Sequence, residues 1–113
     1  MRRVIRSREF DAFFEWLPSN VQEKVLYALS VIADIKVVST KLVKKLVDTE
    51  FYELRISMNN EYRVIILAID SDSFIESGQV LLLNGFVKKS TKDYRREVDK
   101  ARRIVNLLET EKI

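Results

Sequence analysis

The stretch from Tyr62 to Asp70 constrains this chain most: after Arg63 it reads VIILAI, without a charge until Asp70. It is far shorter than the roughly 18 apolar residues of a membrane-span candidate. Its β-branched content points to a strand covered on both faces, in the middle of a sheet. Such a strand needs a neighbour on each side. Phe51 to Ser57 supplies one, because Tyr52, Leu54 and Ile56 alternate with Glu53, Arg55 and Ser57, the period of a strand with one exposed face. Gln79 to Val87 supplies the other. Asn59-Asn60 is the turn between the first two, and Asp70 to Gly78 is a polar reversal before the third.

Helical spacing occupies both ends. Phe10, Phe13, Phe14 and Leu17 recur on one helical face after Ser7 as a cap, and Pro18 stops that helix. Val21, Val25, Leu29 and Ile32, joined by Leu26 and Ala33, give a broad stripe for a second helix. The pair forms a helical hairpin, with Trp16 expected to pack at its junction. Val4-Ile5 among arginines predicts a short first strand over Arg2 to Ser7, and Ile35 to Val47 reads as a connection. The last helix is expected from Thr91 or Asp93 to Glu109, with Tyr94, Val98, Ala101, Ile104, Val105 and Leu108 inward. The predicted fold is α+β: one small domain over residues 1–113, a helical hairpin and a C-terminal helix packed against one side of an antiparallel sheet.

Composition narrows the chemistry. With 113 residues, 47% of them apolar, the chain can build one core and not two. Cysteine and histidine are both absent. That removes disulfides, thiolate nucleophiles, the usual zinc ligands and the usual general base, so acid–base work falls to carboxylate, lysine or tyrosine. No cofactor and no metal is expected, since nucleotide-binding glycine loops and metal spacings are missing. The sequence has neither a membrane span nor a signal-peptide core, which predicts a cytoplasmic protein without a membrane partner. The formal charge is +3 and the pI about 9.2, and the charge is clustered: Lys88 to Arg103 holds eight Lys/Arg against three Asp/Glu. A clustered positive surface favours an acidic partner such as nucleic acid.

Three segments, FYELR at Phe51 to Arg55, EYRVIILA at Glu61 to Ala68 and LLNGFVKKSTKDY at Leu82 to Tyr94, resemble the toxins of the RelE/ParE superfamily. The similarity is greatest to the HigB-like branch, the phage-derived Gp49-like proteins, and in element order it covers nearly the whole chain. It implies a toxin of a type II toxin–antitoxin system, held in check by a cognate antitoxin and cutting mRNA on the ribosome. Its rivals are a DNA gyrase inhibitor, as in the ParE-like members, and a non-catalytic RNA- or protein-binding module.

The resemblance also implies a site. Arg55 and Arg63 are candidates for binding the cleaved phosphate, where a guanidinium meets developing charge. Either could instead be structural, Arg55 pairing with Glu53 or Glu61 and Arg63 bracing its strand. The two share a face only if the hairpin loop between them holds an odd number of residues. Lys88 stands where RelE-like members carry a catalytic arginine, six residues before a tyrosine; Lys89 leaves the strand in the opposite direction. Tyr94 is a candidate for stacking on a base or moving a proton, and equally for packing beneath the helix. Lys89, Lys92 and Arg95 are candidate contacts to the RNA backbone, and Arg2, Arg3 and Arg6 to ribosomal RNA or the antitoxin. The histidine of some HigB-like members has no counterpart, and Glu53 falls where RelE-like members carry a lysine. Glu53 is a candidate base, although a surface carboxylate is the commoner reading for such a strand position.

Overall fold

The computed structural model describes residues 1–111. The elements run β1 (Arg3–Arg6), α1 (Arg8–Trp16), α2 (Ser19–Asp34), β2 (Val43–Lys45), β3 (Phe51–Met58), β4 (Asn60–Ala68), β5 (Gln79–Lys88) and α3 (Lys92–Glu111). The strands form one five-stranded sheet in the order β1-β5-β4-β3-β2. The apolar run is therefore its central strand, as its composition requires. β3, β4 and β5 form an antiparallel meander, while β1 joins the edge of β5 in parallel. The segment expected to be a plain connection contributes the short edge strand β2, antiparallel to β3.

Ser7 caps α1 by accepting from the Phe10 amide at 3.1 Å, and α2 begins directly after Pro18. The hairpin packs through Phe10, Val21, Val25 and Ile32 onto Leu54, Val64, Ile66 and Leu82. Contact is closest at Gly85, where any Cβ would overlap the Phe13 ring.

The helices do not share one side of the sheet. The C-terminal helix lies on the face opposite the hairpin, where Val98, Ala101 and Ile104 pack with Phe51, Ile65, Leu83 and Phe86. The alternating strand β3 consequently has no exposed face: Glu53 is 4% exposed, beneath α3. Two further expectations fail on exposure. Trp16 is 69% exposed instead of wedged between the helices, and Arg2 is 5% exposed instead of free for a partner. Arg2 donates to the carbonyls of Ile32, Ile35, Lys36, Phe74 and Ile75, tying the chain start to the end of α2 and to the β4–β5 connection.

Candidate functional site

The turn between β3 and β4 sets the site's geometry. Asn59 adopts the left-handed backbone (φ 62°), which asparagine tolerates better than most residues, and Met58 pairs with Asn60 across it. The parity is odd, so Arg55 and Arg63 are direct cross-strand partners on the α3 face. Two like charges so placed repel unless a counter-charge intervenes. Glu53 supplies it, with Oε1 3.5 Å from Arg55 Nε and Oε2 3.9 Å from Arg63 Nε.

A bulge brings Lys88 to the same face. Val64 pairs with Gly85 and Ile66 with Leu82, so Leu83 and Asn84 together oppose Ile65. The extra residue reverses the alternation of β5: Leu82 and Val87 face the hairpin, whereas Leu83 and Phe86 face α3. Lys88, two residues beyond Phe86, follows it, and its Nζ lies 5.6 Å from the centre of the Tyr94 ring. The Asn84 side chain fixes the bulge to α3, its Nδ2 donating at 3.0 Å to both the carbonyl and Oε1 of Glu97. Sequence reasoning passed over Asn84-Gly85, although a glycine inside an apolar strand is the usual mark of a bulge.

Tyr94, in the first turn of α3, completes the cluster from above. Arg63 Nε donates to its hydroxyl at 3.1 Å, and Phe86 meets its ring edge-on at 5.6 Å. Burial raises the phenol pKa above its ordinary value of 10, and the Glu53 carboxylate, as acceptor and as charge, raises it further against the opposing pull of Arg63. At neutral pH Tyr94 is thus a neutral donor. Glu53 Oε2 is buried and makes no well-formed hydrogen bond among the described residues. The carboxylate therefore keeps an unfilled acceptor position inside the cluster.

Exposure divides the cations. Arg63 is 2% exposed, its guanidinium also donating to the Tyr62 carbonyl and Glu61 Oε1. Arg55 and Lys88 are half-buried at the rim, whereas Lys89, Lys92 and Arg95 are exposed. Asp93 clasps the strand end to the helix, accepting from the amides of Lys89 at 2.8 Å and Ser90 at 3.0 Å, and these bonds lower its pKa. Arg3 and Arg6 lie on β1, at the other edge of the sheet from β2, and Arg6 is paired with Asp11 at 2.7 Å. Among the described residues there is no group of three or more acidic side chains arranged to hold a metal ion, and no helix long and apolar enough to cross a membrane.

Residues 12–106 match the family model described as phage derived protein Gp49-like (DUF891). The chain belongs to this family. No curated protein matches it. Among solved structures, the Gp49-like chain is similar to a chain of the intact E. coli RelBE toxin–antitoxin complex, with a TM-score of 0.60 at 15% identity, covering 80% of this chain and 100% of that one. A mutant of the E. coli toxin RelE in the free state, with two arginines changed to alanine, gives a TM-score of 0.60 at 15% identity over 88% and 96% of the two chains. The isolated E. coli RelE toxin gives 0.55 at 15% identity over 88% and 98%. At that identity the likeness establishes a shared fold, with the hairpin, sheet and C-terminal helix in RelE-like topology.

Proposed function

We propose that this Gp49-like protein is the toxin of a type II toxin–antitoxin system, of the HigB-like kind, and that it cleaves mRNA on the ribosome without a metal ion. One observation carries the reading: Arg55, Arg63 and Tyr94, from two strands and a helix, meet around the buried Glu53 carboxylate, and Lys88, from a third strand, lies against the Tyr94 ring. The RelE-like fold supports it, since the solved neighbours are described as toxins, one of them in complex with its antitoxin.

The chemistry is attack of a ribose 2′-oxygen on the adjacent phosphorus, which forms the 2′,3′-cyclic phosphate and breaks the bond to the 5′-oxygen. Arg55 and Lys88, at the accessible rim, neutralise charge on the phosphate oxygens. Arg63 works beneath them, orienting Tyr94 and Glu53. The 2′-hydroxyl proton passes to Tyr94 Oη as the phenol gives its own to Glu53. Lys88 then protonates the departing 5′-oxygen. Lys89, Lys92 and Arg95 hold the RNA backbone, an electrostatic role that sets affinity rather than sequence choice. The ribosome contributes an attack-ready geometry for the mRNA. The antitoxin covers this basic rim or packs against the hairpin.

Mapping transcript 5′ ends in cells expressing the protein without its antitoxin tests the assignment. Cuts within translated codons are expected, and they are expected to disappear in the Arg55→Ala/Lys88→Ala double variant. Intact transcripts with lost gyrase activity would overturn the nuclease reading in favour of gyrase inhibition. Growth arrest that survives the double variant would favour a non-catalytic binding module.

A further inference from the structure

Next to the polar cluster, the β2–β3 loop and the flank of α3 enclose an open cavity of about 560 Å³. That lies within the range of about 300–1,000 Å³ usual for small-ligand sites. Leu46, Val47 and Val98 give it apolar walls, and Tyr94 lines it too, so the cavity and the cluster share one side chain. Val47 is 80% exposed, an aliphatic group left facing solvent at the mouth. The loop is built rather than slack: Thr49 Oγ1 donates to the Leu46 carbonyl at 2.8 Å and accepts from the Phe51 amide at 3.0 Å, while Asp48 takes the left-handed backbone (φ 60°).

The charged groups of the cavity differ in their commitments. Arg102 is paired with Glu50 at 3.2 Å and with Asp99 at 3.9 Å. Asp48 and Arg95, which also line the cavity, have no hydrogen-bonded or ionic side-chain partner among the described residues. An open cavity with apolar side chains and an aromatic ring on its walls, one free carboxylate and one free guanidinium fits a nucleotide: a base against the walls, a carboxylate for the base edge, a cation for the phosphate. The carboxylate selects among bases. Guanine presents two adjacent N–H donors that one carboxylate accepts together; adenine and cytosine offer a single amino group there, and uracil flanks its one N–H with carbonyl oxygens that repel a carboxylate. Such bidentate pairing discriminates by about 10-fold or more against a base that cannot make it.

We infer that this cavity is a guanine-selective nucleotide subsite, seating the base next to the cleaved linkage, with Asp48 reading its edge and Arg95 holding its phosphate. The inference rests on the RNA-cleaving reading for its place in the reaction, but the binding it requires is measurable without cleavage. The full chain would be titrated with the 3′-monophosphates of guanosine, adenosine, cytidine and uridine, following backbone amide shifts. Shifts are expected at Leu46–Thr49 and along Tyr94–Arg102, with guanylate binding about 10-fold more tightly than uridylate. Asp48→Asn should abolish that preference, and Val47→Glu, at an exposed position, should weaken all four ligands. Shifts absent from both segments, or equal affinities in the wild-type chain, would overturn the inference. The same variants in cellular 5′-end mapping separate the two readings. Guanylate selectivity with uncut transcripts would sink the nuclease while leaving the subsite. Cuts whose base preference is unmoved by Asp48→Asn would sink the subsite and leave the nuclease.

Discussion

The two faces of the sheet bury side chains for different ends. Under the helical hairpin the contacts are aliphatic and aromatic, with Phe10, Ile32, Leu54, Val64, Ile66 and Leu82 almost wholly excluded from solvent. Under α3 the apolar cluster is smaller, and beside it lie buried Glu53, Arg63, Asn84 and Glu97. Burying charge is costly unless it is paired and hydrogen-bonded, so the second face holds its groups by mutual restraint and not by hydrophobic gain. A small domain thus assigns cohesion to one side of its sheet and the fixing of buried charged and polar groups to the other.

The contrast can be broken most forcefully at Phe10. Phe10→Ala should cost about 3–5 kcal/mol in urea unfolding, the range for aromatic truncation in a core, and leave the high Tyr94 pKa where it was. A fall in that pKa would mean that the faces are coupled. On the other side, Arg63→Ala should cost about 3 kcal/mol by leaving buried Glu53 with only the half-exposed Arg55 as counter-charge. The double variant Glu53→Leu/Arg63→Met should recover most of that stability while abolishing toxicity, separating charge balance from chemistry. Asn84→Ala comes next, with a loss of about 1–2 kcal/mol for its two bonds to Glu97 and faster amide exchange in α3 than in α2.

The smallest effect is a titration. Because the Tyr94 pKa is raised in the folded chain, its contribution to stability is fully present below the ordinary value of 10 and is lost as pH rises through the folded value. Spectrophotometric titration should find one phenol ionising late, and Glu53→Gln should bring it earlier by removing a raising influence. Asp93 acts at the other end of the scale. Its lowered pKa gives support that is present above the unfolded carboxylate value and lost as pH falls through the folded one.

Much of this arrangement was readable from residue patterns, and the failures share a cause. The doubly apolar run of β4 placed the centre of the sheet, and the same run argued for cover on both sides. The alternation of β3 pointed the other way, since Glu53 and Arg55 read as solvent-facing when only their own strand is considered. What hid them is α3, whose inner stripe was legible but whose docking side was not. Loop parity left the relation of Arg55 to Arg63 undecided until Asn59 proved to be the pivot. The aim of Lys88 depended on one extra residue at Asn84, which a strict period of two cannot accommodate. Trp16 and Arg2 were misjudged from residue type alone: an aromatic lies in solvent, and an arginine is consumed in capping carbonyls.

The parallel seam between β1 and β5 also bears on how the protein is made. Arg3 to Arg6 find their partners only at Gln79 to Leu82, so the first strand synthesised must wait for the last. Contacts so distant along the chain slow folding, and they cannot form while the later strand is still inside the exit tunnel. The seam therefore closes only once β5 is available, which makes docking of the chain's first strand a late step in folding.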